Sequence, residues 1–233
     1  MIKSIPHERA IVALKSVMDN VYWLQRERRL LVSTNLVPGQ SVYGERLFSE
    51  AGKEYREWIP LRSKLAAAIY NRRRGFEIKA GHSILYLGAS SGTTVSHVSD
   101  IVGEHGKVYA VEVSEEMGTR LILLSEKRKN IFPVIEDARR VDVLSQSVPR
   151  CDFIYQDIAQ RDQVEIFIKN ADAFLKKGCF GAVAIKAKSI DIFKSSKSVI
   201  DEAVSQLRRR FIVAETIDLN PYQRDHSLVM VKN

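Results

Sequence analysis

Short apolar runs alternate with longer amphipathic stretches from about Leu85 to the end of the chain. The apolar runs predict buried strands, and the stretches between them predict helices over 93–102, 114–128, 162–175 and 192–210. Strands separated by helices of this length favour an α/β fold with a doubly wound, mostly parallel sheet. The predicted strands are ILYL, KVYAVEV, IFPVIED, CDFIYQD and CFGAVAIKA, followed by FIVAETIDL and HSLVMVK.

The last two predicted strands differ from the others because no helix separates them. Only NPYQRD connects FIVAETIDL to HSLVMVK. A connection this short joins antiparallel neighbours, whereas parallel neighbours need a long crossover. We therefore expect the sheet to end in an antiparallel hairpin at one edge.

The first sixty residues have a different pattern. The segments VYWLQ, RRLLVSTNLV and SVYGERLFSE are rich in strand-forming residues and are joined by turn signals such as Pro38-Gly39. Residues before Asp19 fit a helix or a strand, and SKLAAAIYNRRR predicts a helix that leads into the main sheet. We expect a small β-rich domain at 1–60 and the α/β domain at 61–233.

Composition narrows the class of protein. Apolar residues make up 45% of the 233 residues, which is enough for a packed core. Cys151 and Cys179 are too few for a disulfide framework, no apolar run could span a bilayer, and MIKSIPHERA lacks the apolar segment of a signal peptide. We expect a cytoplasmic protein with no membrane contact. The net charge of +8 suits a polyanionic partner, and equally a soluble protein that is merely basic.

The turn after the first apolar run of the main sheet, Gly88-Ala89-Ser90-Ser91-Gly92, has the pattern G-x-S-x-G. This is the nucleophile elbow of α/β-hydrolases, and Ser90, Asp157 and His226 follow in the Ser-Asp-His order of that fold. Two observations count against hydrolysis. The residues before the turn indicate a separate β-rich unit instead of further sheet strands, and no glycine-rich oxyanion segment is present.

The same turn is also typical of a nucleotide-like cofactor site. Glu112 ends the next strand at the spacing of a carboxylate that binds a ribose. No lysine follows Gly92, which excludes a P-loop, and Ser90 replaces the central glycine of a dinucleotide motif. A cofactor without phosphates, such as S-adenosylmethionine, fits better, with Asp137 at its adenine. The alternative is that the glycines only allow tight strand–helix packing.

Several segments together resemble the fibrillarin family, the methyltransferases of box C/D ribonucleoproteins, in its shorter archaeal form. The resemblance implies a class I S-adenosylmethionine-dependent methyltransferase fold behind a small β-rich N-terminal domain. It also implies transfer of a methyl group to ribose 2′-hydroxyls of RNA, in rRNA and tRNA. The segments are SVYGERL, YREWIPLRSKLAAAI, ILYLGASSGTTVSHVSDIVG, VYAVEVS, IEDAR, DIAQ, IKA and PYQRDHSLV.

Partners follow from the same resemblance. It implies a guide RNA that pairs with the target RNA, a Nop-domain scaffold protein and a kink-turn-binding protein. Arg72-Arg73-Arg74 and Arg208-Arg209-Arg210 are candidate phosphate contacts, or else solvated helix ends. No RRM, KH or zinc-finger signature is present to read RNA sequence, and we expect no metal.

The resemblance also implies the site residues. The catalytic set is Lys64, Asp157, Lys186 and His226, of which we expect Lys186 to be the base and Asp157 to orient the lysines. Lys64 and His226 would position the ribose or hold the network. The expected cofactor contacts are Gly88, Ala89, Ser90, Thr93, Thr94, Glu112, Val113, Asp137, Ala138, Asp157, Ile158, Ala159 and Gln160.

Two alternatives stay open from the sequence. A ribonucleoprotein assembly subunit could keep the fold without the chemistry, although the complete catalytic set speaks against this. A small-molecule methyltransferase would bind the same cofactor but would need neither a guide nor a scaffold.

Overall fold

The computed structural model describes residues 13–72 and 74–233, which form two sheets and the helices packed on them. The first sheet has five antiparallel strands in the order β1-β2-β3-β5-β4, and the second has seven in the order β11-β12-β10-β9-β6-β7-β8. The first sheet consists of β1 Ala13–Met18, β2 Val21–Gln25, β3 Arg29–Thr34, β4 Leu47–Glu50 and β5 Lys53–Glu57. The second consists of β6 Ser83–Leu87, β7 Lys107–Glu112, β8 Ile131–Ile135, β9 Cys151–Gln156, β10 Leu175–Lys186, β11 Ile212–Asp218 and β12 His226–Lys232. The helices are α1 Lys64–Arg72, α2 Thr93–Val102, α3 Glu115–Lys127, α4 Val141–Leu144, α5 Gln163–Phe174, α6 Ala187–Ile190 and α7 Ser196–Arg208.

The second sheet confirms the predicted fold class. Strands β6 to β10 run parallel to one another, whereas β12 pairs antiparallel with both β10 and β11. The chain starts this sheet in its middle at β6, builds outward through β7 and β8, and then returns to β9 on the other side. Ligands bind where the strand order reverses in this way, beyond the carboxyl ends of the strands.

Several predicted boundaries differ from the structure. The helix predicted from Ile192 begins only at Ser196, because Ser195 caps it by accepting a hydrogen bond from the Ser198 N–H. Strand β10 begins at Leu175, before the predicted start, and reaches its regular register after an irregularity at Gly178. Of the ambiguous residues before Asp19, 13–18 form β1. The remaining residues, 1–12, and Arg73 lie outside the described part of the chain.

The first sheet packs against the α/β unit through a shared apolar core. Val21, Trp23 and Leu31 are buried against residues of α1, whose Leu65 to Ile69 are fully enclosed. The apolar face of the sheet arises because alternate residues of a strand point to the same side. Strand β5 ends at Glu57 and α1 begins at Lys64, so the domain boundary at residue 60 stays a prediction.

A fully buried ionic network also joins the two sheets. The Arg56 guanidinium in β5 lies 2.8 Å from the Asp100 carboxylate in α2 and 2.6 Å from Glu45. Asp100 also binds Arg128 at 2.6 Å, and accepts a hydrogen bond from the Ser33 hydroxyl. Two guanidiniums thus face two carboxylates away from the protein surface, so that each buried charge has a partner of opposite sign.

His97 of α2 lies beside this network. Its ring stacks on Trp58 with a centroid separation of 4.9 Å, and its two nitrogens lie 2.8 Å from the hydroxyls of Ser33 and Tyr43. Burial and the neighbouring guanidiniums hold the pKa of His97 well below its usual range. The neutral ring fixes α2, which begins directly after the glycine-containing turn, against the first sheet.

Candidate functional site

The glycine-containing turn connects β6 to α2 and packs against the residues that follow β9. Gly88 has a φ of +82°, and its N–H donates to the Val111 carbonyl at 2.9 Å. A Cβ at Gly88 would lie 2.7 Å from the Asp157 carbonyl oxygen, which only glycine avoids. Close packing therefore explains Gly88, and the same packing brings the ends of the strands around one cleft.

The cleft lies at the carboxyl ends of the parallel strands and encloses about 270 Å³. Most of the predicted cofactor residues line it, and so does the predicted base, Lys186. The lining includes Gly88, Ser90, Glu112, Val113, Asp137, Ala138, Asp157, Ile158, Ala159 and Gln160. It also includes Val111, Glu136, Arg139 and Ile166, which were not among the predicted contacts.

The structure does not bring the side chains of Ala89, Thr93 and Thr94 into this cleft. Ala89 is buried in the apolar core, and the Thr94 hydroxyl donates to Ser63 at 3.1 Å. Thr93 lines a separate cavity that it shares with Arg120 and other residues. The first turn of α2 therefore directs the Thr94 hydroxyl toward Ser63 and places Thr93 at the other cavity, which helical spacing alone did not reveal.

Glu112 ends β7 at the floor of the cleft. One oxygen of its carboxylate accepts the Ser90 N–H at 2.6 Å, and the other accepts the Ser114 N–H at 2.9 Å. These two bonds fix the carboxylate between the turn and the start of α3. A fixed carboxylate with further lone pairs suits the two hydroxyls of a ribose.

The Glu112→Ala variant is expected to bind S-adenosylmethionine more weakly by about 1–3 kcal/mol, the scale of a lost hydrogen bond to a charged group. Calorimetric titration measures the affinity, and thermal unfolding checks that the variant is folded. Glu116→Ala is the matched control, because Glu116 lies exposed on α3 and contacts only Arg120. An unchanged affinity in a folded Glu112→Ala variant would remove Glu112 from the site.

Charge in the cleft distinguishes between cofactors. Its lining holds four carboxylates, those of Glu112, Glu136, Asp137 and Asp157, against the cationic Arg139 and Lys186. Excess negative charge repels a pyrophosphate and attracts a cation. S-adenosylmethionine carries a sulfonium and an ammonium group, and the exposed Val113 offers an apolar contact beside the cleft. The residues present therefore fit this cofactor.

Arg139 closes one side of the cleft. Its guanidinium lies 2.7 Å from Asp162 and 3.2 Å from Asp137, and it donates to the Gln160 side chain at 3.2 Å. These contacts raise the pKa of Arg139, and the hydrogen bond to Asp162 has the largest effect. The Asp137 carboxylate predicted for the adenine is thus already oriented by Arg139. In the sequence, Arg139 could have been suspected as a site residue from its position two residues after Asp137.

The four predicted catalytic residues converge beside the cleft. Lys64 is the first residue of α1, Asp157 follows β9, Lys186 ends β10 and His226 begins β12. The Asp157 carboxylate lies 3.0 Å from the Lys64 ammonium and 2.7 Å from that of Lys186. Burial acts to raise the pKa of Asp157, but the two lysines outweigh it and the pKa is lowered. Asp157 is therefore a carboxylate that holds both lysines.

His226 pairs with Lys186 across strands β10 and β12. Its Nδ1 lies 2.6 Å from the Arg224 carbonyl oxygen, which can only accept, so Nδ1 carries the hydrogen. Burial and the Lys64 charge lower the pKa of His226, which keeps the ring neutral near pH 7. Because Nδ1 faces Arg224 and Asp157 faces two lysines, the Ser-His-Asp relay of a hydrolase is not assembled.

The reversed last strand and the acidic cleft at the switch point together restrict the class of protein. A solved S-adenosylmethionine-dependent methyltransferase from Aquifex aeolicus shares the fold, with a TM-score of 0.52, 21% identity, and coverage of 66% of this chain and 83% of that one. This match shows the fold, and the acidic cleft at the switch point fits S-adenosylmethionine as the cofactor.

Comparison with known proteins gives the family. The sequence model described as Fibrillarin matches residues 12–233. The fibrillarin-like rRNA/tRNA 2′-O-methyltransferase of Pyrococcus abyssi is 46% identical over 202 residues, covering 87% of this chain and 89% of the relative. The chain belongs to the fibrillarin family.

Two solved structures agree with this assignment. Aeropyrum pernix fibrillarin with natively bound S-adenosyl-L-methionine is 38% identical, with a TM-score of 0.85 and coverage of 95% of this chain and 100% of that one. A fibrillarin in complex with Nop5p is 39% identical, with a TM-score of 0.86 and coverage of 94% of this chain and 100% of that one.

None of the helices in the described part of the chain has the length and apolarity needed to cross a membrane.

Proposed function

We propose that this protein transfers the methyl group of S-adenosylmethionine to ribose 2′-hydroxyls of rRNA and tRNA, as the catalytic subunit of a guide-RNA-directed box C/D ribonucleoprotein. The observation that carries the proposal is the cluster of Lys64, Asp157, Lys186 and His226 at the edge of the cofactor cleft. A curated relative at 46% identity is named for rRNA/tRNA 2′-O-methylation.

The chemistry divides between the cofactor and the side chains. S-adenosylmethionine, when bound in the cleft, supplies a methyl group activated by a positively charged sulfur. The side chains must align the ribose hydroxyl with that methyl group and accept its proton. In our proposal Lys186 in its neutral form accepts the proton, and Asp157 fixes the Lys186 nitrogen through its carboxylate and its carbonyl oxygen at 3.1 Å.

The other two residues hold this arrangement. Lys64 pairs with Asp157 at 3.0 Å, so the carboxylate keeps a cationic partner when Lys186 is neutral. The neutral His226 has a free lone pair on Nε2, because Nδ1 donates to the Arg224 carbonyl. Nε2 can thus accept a hydrogen bond from a ribose hydroxyl and position it beside Lys186.

The proposed assembly contains a guide RNA, its paired target, a Nop-domain scaffold and a kink-turn-binding protein. A fibrillarin of 39% identity has been solved in complex with Nop5p, which supports the scaffold. The moderate excess of positive charge supplies RNA affinity without sequence selection. Selection of the target then comes from base pairing with the guide.

Methylation by the purified chain is expected at one nucleotide of a defined RNA only when guide and scaffold are both present. The measurement maps 2′-O-methyl groups after incubation with labelled cofactor, and a guide of mismatched sequence serves as the control. Site-specific methylation of an unguided RNA by the protein alone would contradict guide direction. Methylation of a small hydroxylated compound in preference to RNA would favour the small-molecule alternative.

A further inference from the structure

One short segment beside the catalytic edge exposes apolar side chains to solvent. Phe193 is 93% exposed and Ile192 is 64% exposed, in the connection between α6 and α7. Phe193 is the most exposed large apolar side chain in the described part of the protein. We call residues 191–195 the aromatic tip. Ile192 and Phe193 together leave a small apolar surface available to a partner.

The aromatic tip is held in one conformation by its own polar contacts. The Asp191 carboxylate accepts the N–H groups of Phe193 at 2.8 Å and of Lys194 at 3.3 Å. The Lys188 ammonium donates to the Lys194 carbonyl at 3.1 Å, and Ser195 caps α7. Because the backbone is already ordered, a partner that binds Phe193 does not bear the entropy cost of fixing the segment.

Both ends of the tip are tied to the catalytic edge. Helix α6 begins directly after Lys186, so Phe193 lies within roughly 20 Å of the Lys186 Cα. The Ala187 N–H donates to the Asp225 carbonyl at 3.2 Å, and the Ser196 hydroxyl donates to the Asp225 carboxylate. Asp225 immediately precedes His226. A strand of RNA with its ribose at Lys186 would place a base only a few nucleotides away at the tip.

The charges around the tip favour RNA over an apolar protein surface. Lys188, Lys194, Lys197 and Arg161 lie on the tip or on the elements that flank it. Asp191 accepts backbone N–H groups with its carboxylate. Lys194 pairs with Glu202 at 2.8 Å and Lys188 donates to backbone carbonyls, so the exposed Arg161 and Lys197 are the cations of this set that face solvent. An exposed aromatic ring beside cations suits single-stranded RNA, because a base stacks on the ring while the phosphates bind the cations.

We propose that Phe193 stacks on an unpaired base of the bound RNA that flanks the guide–target duplex, while Arg161 and Lys197 contact its phosphates. The proposal rests on the proposed function, because it takes RNA as the substrate. It adds a contact that holds the RNA outside the methyl-transfer cleft. Since the ring has no neighbours to support, its replacement tests binding without disturbing the fold.

A tryptophan at the tip reports stacking directly. Trp23 and Trp58 of the wild-type protein are buried, at 5% and 1% exposure. Phe193→Trp therefore adds an exposed indole whose fluorescence can be distinguished from theirs. We expect a single-stranded RNA oligonucleotide to quench the added fluorescence, because a base stacks on the indole. Heparin carries the charge but no bases, and is expected to bind without this quenching. Equal quenching by heparin, or none by RNA, would overturn the proposal.

Activity of the complete complex gives the second measurement. Phe193→Ser and Phe193→Leu are expected to raise the KM for target RNA at least about fivefold, or about 1 kcal/mol, whereas Phe193→Tyr stays near wild type. Cofactor affinity stays unchanged in all three variants. A KM near the wild-type value in Phe193→Leu would assign the tip to a protein contact instead. So would a Phe193→Trp indole that the scaffold protein already shields before RNA is added.

The two proposals fail in different ways. Quenching of the Phe193→Trp indole by RNA, together with a wild-type complex that transfers no methyl group, would contradict the proposed function and leave the stacking contact in place. A complex that methylates its target equally well with serine at position 193 would contradict the stacking contact alone.

Discussion

The Lys186→Ala variant is expected to lose methyl transfer by about 10²- to 10⁴-fold in a single turnover, the range that one general base contributes. Its affinity for S-adenosylmethionine is expected to stay nearly intact, since the cofactor contacts lie chiefly on other strands. The measurement uses the assembled complex with saturating cofactor and guided RNA. Lys177→Ala is the matched control, because Lys177 is exposed near the opposite end of the same strand.

Lys186→Arg separates proton removal from simple positive charge. A guanidinium stays protonated and cannot accept a proton, so this variant also fails if Lys186 is the base. If Lys186 only orients the ribose, arginine keeps substantial activity. A Lys186→Arg complex that assembles normally and methylates near the wild-type rate would contradict the base assignment and make Asp157 the next candidate. Such a result would not affect the family assignment.

The Asp100→Ala variant is expected to lose about 3–5 kcal/mol of unfolding free energy, as when one partner of a buried ion pair is removed. Asp100 accepts from Arg56 at 2.8 Å and from Arg128 at 2.6 Å, and it also binds the Leu36 N–H at 3.0 Å. Without it, two buried guanidiniums retain only Glu45 as a carboxylate partner. Urea unfolding followed by circular dichroism gives the free energy.

The control for this effect is Asp201→Ala, an exposed aspartate in α7, for which a change within about 0.5 kcal/mol is expected. Asp100→Asn adds a second comparison, because it keeps hydrogen-bonding atoms and removes the charge. A loss below about 1 kcal/mol in Asp100→Ala would show that water or a shifted side chain replaces the carboxylate.

The main sheet could be predicted from sequence because its signals are local. Each buried strand is a continuous apolar run, and the short NPYQRD connection indicates the reversed last strand that the structure confirms. Glu112 could be singled out as a candidate because it ends the strand that follows the glycine-containing turn. The break before α7 was missed because Ile192 and Phe193 continue a helical apolar pattern, whereas Ser195 supplies the cap.

The buried network could not be predicted, because its partners are distant in the chain. Arg56, Asp100 and Arg128 each resemble ordinary surface charges in sequence, and only the packing of α2 on the first sheet brings them together. Arg139 was missed for a related reason, since its contact with Asp162 depends on where α5 begins. Thr94 was assigned to the cofactor from its position at a helix start, but the nearby Ser63 binds its hydroxyl.

The network also has a consequence for synthesis on the ribosome. The strands of the first sheet are complete once Glu57 has been made, but the Arg56 guanidinium has only Glu45 of this network as a carboxylate partner until Asp100 follows, and the network is complete only with Arg128. At about 5–20 residues per second this delay lasts roughly 4–14 s. We therefore expect the nascent N-terminal segment to lack the complete ionic network throughout that interval, although α1 is already available to cover its apolar face.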